Sequence, residues 1–392
     1  MPSRPRSPNE LLDRARSLAP LIRAHADENE RKRRLATPVV DALHDAGLFR
    51  MLQPPSVGGS GLHAIEAVPI LEEIACSDGS TGWNLAIGAG NSAFLALLRD
   101  PAALQSLVGQ PKSLGAGSVN PTTLRLVACP DGYRVSGTLR YASGIHQATW
   151  LVAGGLVLDE GRPRLTSDGL PEIVGAFFPA GRVRILDTWY PNGLAGTGSH
   201  DAAVEDLFVP TRFTFEFGAK GSTGFDALAE LPTFSRLGAN LAAVALGIAR
   251  RAIEELSTLA RTKPAMMGTT PLAETPRVQT EVGRAHAQLD AGRAHLEGVA
   301  GVIFDRVAAG AVPDRTDLAR LRLAYLSAVE HAVDAVDRMR NVAGMTAIAS
   351  GNALERCFRD VHALTQHLAI SPAHYERVGK ALLGLDVGSG QL

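Results

Sequence analysis

Three stretches of different grammar predict an α+β protein: an all-helical segment over residues 1–112, a β domain over 113–222 and a four-helix bundle over 223–392. Apolar residues recur at helical spacing behind capping signals up to Leu98 and alternate in short runs from Leu114 to Pro210. They then return in four long unbroken helical spans.

The first helix is announced by a capping box, Ser7 with Glu10 three residues on, and by Pro8 at the first helical position. "TPVVDALHDAGLF" repeats that grammar, with Thr37 as cap, Pro38 next and Gly47 as stop. "AIEAVPILEEIAC" and "STGWNLAIGAGNSAFLALL" are helical by period, with Pro69, Gly88 and Gly90 as weak points. In the β segment a Pro-Asp-Gly turn opens an alternation that puts Tyr133, Val135, Leu139, Tyr141 and Ser143 on one face. "TWLVAGGLVL", "EIVGAFFPA", "RVRILDTWY" and "AAVEDLFVP" continue as short strands between Gly, Pro and Asp. Beyond the Gly/Ser-rich link "GAKGSTGFD", helices are expected over Thr233 to Thr262, Pro276 to Ala308, Pro313 to Gly344 and Leu354 to Ile370. A last amphipathic segment, "SPAHYERVGKALLGL", follows.

The composition, 45% hydrophobic and 20% charged, is that of a globular protein with a large core. Net charge is -1, from 39 basic and 40 acidic residues mixed along the chain, which leaves no electrostatic footprint for nucleic acid or an anionic membrane. Small-molecule chemistry is the expectation. Cys76, Cys129 and Cys357 are far apart and odd in number, so free thiols and a cytoplasmic location are expected. No apolar run follows the early arginines, and stretches such as "NLAAVALGIA" are half of the ~20 residues that a membrane span needs. No G-x-G-x-x-G follows a strand, and H-E-x-x-H and G-x-S-x-G are missing, which removes most of the case for two-domain dehydrogenases, zinc enzymes and α/β hydrolases.

The segment "ERCFRDVHALTQHLA" carries two histidines five residues apart. On a regular helix they point about 140° apart, so one metal ion could not easily hold both. His367 instead shares a stripe with Arg356, Asp360 and Ala363, and something polar is expected to face it.

Taken together, "DAGLFRMLQPPSVGGSGL" with "DGSTGW", "GYRVSGTLRYASGIHQATWLVAGG" with "WYPNGLAGTGSHDAAVEDLFVP", and "VAGMTAIASGNALERCFRDVHALTQH" resemble the acyl-CoA dehydrogenase superfamily. The likeness is narrower to its reduced-flavin-dependent, two-component monooxygenases, the branch of dibenzothiophene monooxygenase and the p-hydroxyphenylacetate hydroxylase oxygenase component. It implies the acyl-CoA dehydrogenase fold: an N-terminal helical domain, a central β-barrel or sandwich, and a C-terminal four-helix bundle. It also implies reduced FMN, with FAD as the alternative flavin, supplied by a separate flavin reductase, and a homotetramer. Such enzymes react reduced flavin with O2 to a C4a-hydroperoxide and transfer its distal oxygen to a small aromatic or heteroatom-containing substrate. A dehydrogenase would need a carboxylate to take the proton α to a thioester carbonyl. Where many members keep that base, this chain reads "AGMTAIASGN", with no Asp or Glu. The rivals are an FAD-holding acyl-CoA dehydrogenase-like oxidoreductase and a non-catalytic binding protein of the same shape.

Residue by residue, the resemblance puts Ser143 at flavin N5, against the alternative of a turn serine serving local backbone. It gives His367 to the substrate and the peroxide, against a structural histidine, and sets Thr197 and Ser199 beside the flavin, against ordinary turn residues. Arg261 resembles the arginine that reaches a neighbouring subunit's flavin phosphate, or is a surface arginine. Ser118 falls near a polar substrate-side position, or in a plain loop, and Trp83 and Trp189 read as core or interface aromatics. Asn91 stands where phenol-hydroxylating relatives carry a histidine; it can hydrogen-bond substrate but cannot take its proton.

Overall fold

The computed structural model describes residues 6–110, 112–118, 120–216, 225–265 and 268–387. Most of the Gly/Ser-rich link lies outside them. The N-terminal helices are α1 (Pro8–Lys32), α2 (Thr37–Asp45), α3 (Ala64–Ser77), α4 (Gly79–Gly90), α5 (Ser92–Leu95) and α6 (Pro101–Val108). Ser7 Oγ accepts the Glu10 amide at 3.2 Å, and Pro8 opens the first turn of α1. At α2 the cap is Ala36, with Thr37 already helical and no side chain capping the end. Pro38 sets the start there and Thr37 does not.

Helix α4 is the element that positions the site. Its cap, Asp78, accepts the Thr81 amide at 3.0 Å and the Thr81 hydroxyl at 2.6 Å. Nearly every residue of its glycine-rich run is buried. Glycine costs a helix interior about 1 kcal/mol relative to alanine. That cost is offset by close packing: a Cβ at Gly82 would sit 2.5 Å from Ala75 Cβ of α3.

Strands β1 (Gly115–Ser118), β2 (Leu124–Cys129), β3 (Gly132–Leu139), β4 (Trp150–Asp159), β5 (Arg162–Pro163), β6 (Ile173–Pro179), β7 (Arg184–Leu186), β8 (Asp201–Pro210) and β9 (Thr214–Glu216) form one mixed sheet. The order is β7-β8-β3-β2-β4-β6-β9. One edge of β4 takes β1 along its first half and β2 along its second, both parallel, while β6 pairs antiparallel on the other edge. A register shift between Val135 and Gly137 breaks the alternation of β3. Val135 and Leu139 are buried, but Tyr141 lies beyond the strand at φ 57° and is 64% exposed. Tyr141 and Ser143 therefore belong to a turn, not to the apolar face expected of them.

The bundle is α7 (Thr233–Thr262), α8 (Pro276–Ala308), α9 (Arg315–Ala343) and α10 (Ala353–Leu364), followed by α11 (His374–Leu382) on α9. One continuous core runs from Leu11 to Ile370 through the helices at both ends of the chain, and the sheet keeps a second core of its own. Phe94, Trp150, Phe177, Phe215 and Leu237 join sheet to helices. No helix among the described residues is long and apolar enough to cross a membrane.

Candidate functional site

Two turns of the sheet domain meet against α4. The Ala142 amide donates to His200 C=O at 3.1 Å and the Gly144 amide to Thr197 C=O at 3.0 Å, which laces turn 141–144 to turn 197–200. Gly144 sits at φ 76°, and a Cβ there would lie 2.9 Å from Asn84 Oδ1, so only glycine lets the turn approach α4 this closely. Across the lacing, Ser143 Oγ lies 2.7 Å from Ser199 Oγ, and Ser199 Oγ 2.7 Å from Thr197 Oγ1. Thr197 Oγ1 donates to Leu194 C=O at 2.7 Å. All three hydroxyl-bearing residues are buried.

Trp83 of α4 closes the cluster. Its indole Nε1–H donates to Ser143 Oγ at 3.0 Å, and its ring meets the His367 imidazole edge-on, with centroids 5.4 Å apart. Ser143 and His367 thus touch the same tryptophan. His367 is not on α10, which ends at Leu364; it caps the short turn Leu368–Ile370, with Nδ1 accepting the Ala369 amide at 3.2 Å. The buried Arg322 of α9 donates to Ala369 C=O and pins that turn. Burial, with the Arg322 charge adding to it, lowers the His367 pKa to about 4. At neutral pH the ring is uncharged, and with Nδ1 accepting, the proton is on Nε2, which takes no hydrogen bond among the described residues.

The stripe predicted from sequence keeps Arg356, Asp360 and Ala363 on α10 and loses His367, because the helix ends before it. Arg356 pairs with Asp27 and with Glu30 of α1 at 2.8 Å, and Arg359 pairs with Glu30 and donates to Asn192 C=O at 2.8 Å. Asp360 Oδ1 accepts the Leu194 amide at 2.6 Å, so α10 holds the residue on whose carbonyl the hydroxyl chain ends. Burial pushes the Asp360 carboxyl up to about 7, with the nearby Asp78 carboxylate adding to the rise. His362 pairs instead with Asp337 at 2.9 Å.

Other residues proposed from sequence lie apart from this cluster. Asn91, buried at the α4–α5 break, donates from Nδ2 to Gly115 C=O at 2.9 Å and ties the helices to β1. Ser118 ends β1, partly buried, with no side-chain hydrogen bond among the described residues. Arg261 is exposed in the last turn of α7. Sequence reading passed over Trp83 as a core aromatic, and the only local signal for it was a lone tryptophan in a glycine-rich helix. It also passed over Asn84, a buried amide beside Gly144 whose Oδ1 and Nδ2 have no partner among the described residues. Trp189 donates to Leu194 C=O at 3.3 Å.

These residues fit a flavin. Ser143 keeps one lone pair free beyond its bonds to Trp83 and Ser199, which suits a ring N–H. The Tyr141 ring stands exposed at the same turn, and the orphaned Asn84 amide is a group that a bound polar molecule would satisfy. Among the described residues no cluster of three or more His, Cys, Asp or Glu is placed to hold a metal ion.

The N-terminal domain model of acyl-CoA dehydrogenases matches residues 9–100, and the C-terminal domain model matches residues 239–372. The chain is 31% identical to the indole-3-acetate monooxygenase of Pseudomonas putida, over 95% of this chain and 92% of that one. It is 26% identical to the FADH2-dependent resorcinol hydroxylase oxygenase component of a Rhizobium strain, over 96% and 94%. Among solved structures, the HsaA monooxygenase from M. tuberculosis superposes with a TM-score of 0.88 at 27% identity, covering 98% of this chain and 99% of that chain.

Proposed function

The chain belongs to the acyl-CoA dehydrogenase superfamily, in its flavin-dependent monooxygenase branch, and on that premise we propose how its residues divide the work. It is an oxidoreductase that takes reduced flavin and O2 and places one oxygen atom in a small aromatic or heteroatom-containing substrate. Reduced flavin supplies two electrons and two hydrogens, the substrate two more electrons, and the second oxygen atom leaves as water. The reactive oxygen is the flavin's contribution; the protein binds, orients and keeps water out.

The contact that carries the reading is Trp83 joining the Ser143 hydroxyl to the His367 ring, because it sets a hydrogen-bonding group for the flavin ring next to a neutral donor. Ser143 takes the N5 position, with Thr197 and Ser199 behind it. His367, neutral with its proton on Nε2, aims a donor at substrate and the departing oxygen without bringing a charge into a dry site. Asn91 has its amide nitrogen committed to Gly115 and no basic group. The substrate is therefore one that needs no proton removed there, and Ser118, partly buried with no side-chain hydrogen bond among the described residues, is the proposed polar substrate contact. Asn91→His should give no gain on the native substrate while admitting a phenol.

FMN is the proposed flavin, with FAD, which the resorcinol hydroxylase's name carries, as the alternative. A separate reductase in the cytoplasm supplies it, and a homotetramer brings Arg261 to a neighbouring subunit's flavin phosphate. Anaerobic titration with reduced FMN and FAD, followed by 18O2 and an indole and phenol panel, tests the reading. The expected result is tight binding of the reduced form and one labelled atom in a product. Flavin reduction by an acyl-CoA would give the dehydrogenase reading, and no flavin binding in either redox state would leave only the binding protein.

A further inference from the structure

The hydroxyls of Ser143, Ser199 and Thr197 have three oxygen–oxygen contacts and three protons to fill them. The Leu194 carbonyl has no hydrogen, so the 2.7 Å contact there uses the proton of Thr197. Thr197 must then accept from Ser199, and Ser199 in turn must accept from Ser143, each at 2.7 Å. Trp83 Nε1, which can only donate, fills one lone pair of Ser143. Every proton in the chain runs one way, from indole to carbonyl. The terminus cannot reverse: the Leu194 carbonyl has no proton to give and also accepts from Trp189 and the Thr197 amide, while the N–H of the same residue is held by the Asp360 carboxyl.

We infer that this one-way chain, by committing the Ser143 proton to Ser199, leaves Ser143 only an acceptor toward the flavin, so that Thr197 and Ser199 set the preference of the site for reduced over oxidised flavin. The inference rests on the placement of Ser143 at N5 proposed above. Reduced flavin carries a hydrogen on N5 and offers it to the free lone pair of Ser143. Oxidised flavin has only a lone pair at N5. To serve it, Ser143 would have to withdraw its proton from Ser199. Three hydroxyl protons would then have to fill four places, so one contact is left with no hydrogen between its oxygens, either Ser143–Ser199 or, if the chain flips, Thr197 and the Leu194 carbonyl, a loss that a buried site does not recover from water. Thr197 and Ser199 are positioning residues, acting through Ser143.

The test is the ratio of dissociation constants for oxidised and reduced FMN, measured anaerobically by fluorescence and absorbance titration. In the wild type the ratio should favour reduced flavin. Thr197→Val removes the end of the chain, lets Ser199 turn its proton back and frees that of Ser143. Ser199→Ala frees it directly. Each should lower the ratio about fivefold, the size of one net hydrogen bond, by tightening the oxidised form. Thr197→Ser should restore the wild-type ratio, and Thr197→Val should add nothing in a Ser143→Ala background. An unchanged ratio in both Thr197→Val and Ser199→Ala, or an equal change in the Ser143→Ala background, overturns the inference while leaving the monooxygenase reading in place. No flavin binding in either state overturns both.

Discussion

His362 and His367 lie five residues apart in one short segment, yet their surroundings are opposite in kind. His362 sits on α10 with a carboxylate partner, Asp337, at 2.9 Å, and both side chains are more than a third exposed to solvent. His367 lies past the helix end, against Trp83, neutral and with Nε2 unpartnered among the described residues. The two arginines and Asp360 of α10 are consumed by orientation: Arg356 and Arg359 hold α1, and Asp360 holds the Leu194 amide. The neutral groups beyond the helix are left free to act. A site that handles an activated oxygen excludes water, and in such a site a fixed neutral donor costs less desolvation than an ion does.

That contrast breaks most visibly by truncation. His367→Ala should lower product formed per reduced flavin ten- to a thousandfold, roughly the range for losing acid or electrostatic help, with hydrogen peroxide making up the difference. His362→Ala should leave product yield within about twofold, since an exposed ion pair contributes little. Product and peroxide assays in the same single-turnover reaction check both. Equal losses in the two variants would dissolve the distinction between them.

Arg261 tests the contrast from the charged side, because it is a cation left exposed at the end of α7. Arg261→Ala should weaken reduced FMN binding by about 1.5–3 kcal/mol if one charge-assisted bond to phosphate is lost. An unchanged dissociation constant removes it from the site. Ser143→Ala should have a smaller effect on oxygen consumption but a several-fold rise in peroxide released per product, read by the same assay.

Where local grammar decides structure, the sequence was legible. The bounds of α7 and α8 follow from period, Pro276 and the flanking breakers, and they coincide with the helices observed. Where a distant partner decides, it was not. The turn beyond α10 is held by Arg322, 47 residues from the carbonyl it grips, and the strand before Ser143 gives way to a turn at Tyr141, at φ 57°, that no alternation count foresees. Ser143, Thr197 and Ser199 were proposed from motif resemblance, but their order as a chain is geometry. Trp83 shows the limit clearly: its residue type reads as core, and only the hydrogen bond to a serine 60 positions away gives it a place in the site.

The last expected effect is on stability, not on turnover, and concerns Asp360, which holds the Leu194 N–H. An unfolded aspartate titrates near 3.9, whereas burial puts this one at about 7. Between those values the folded chain binds the proton that the unfolded chain has released, so this group's contribution to stability falls as pH rises from about 4 to 7. His367 works the other way: lowered from its ordinary value to about 4, it makes stability rise with pH between about 4 and 6.5. The two partly cancel in the wild-type profile, so the informative quantity is a difference between variants. Asp360→Asn keeps an oxygen to accept the Leu194 amide and cannot ionise. Its melting temperature relative to wild type should therefore be higher at pH 8 than at pH 5. The difference is worth at most a few kcal/mol, since each pH unit separating the folded and unfolded titrations contributes about 1.4 kcal/mol. A difference that stays flat across that range would mean that Asp360 is already ionised in the folded protein. The amide of Leu194, two arginines and α4 would then hold a buried carboxylate, and the anchor of the hydroxyl chain would be ionic.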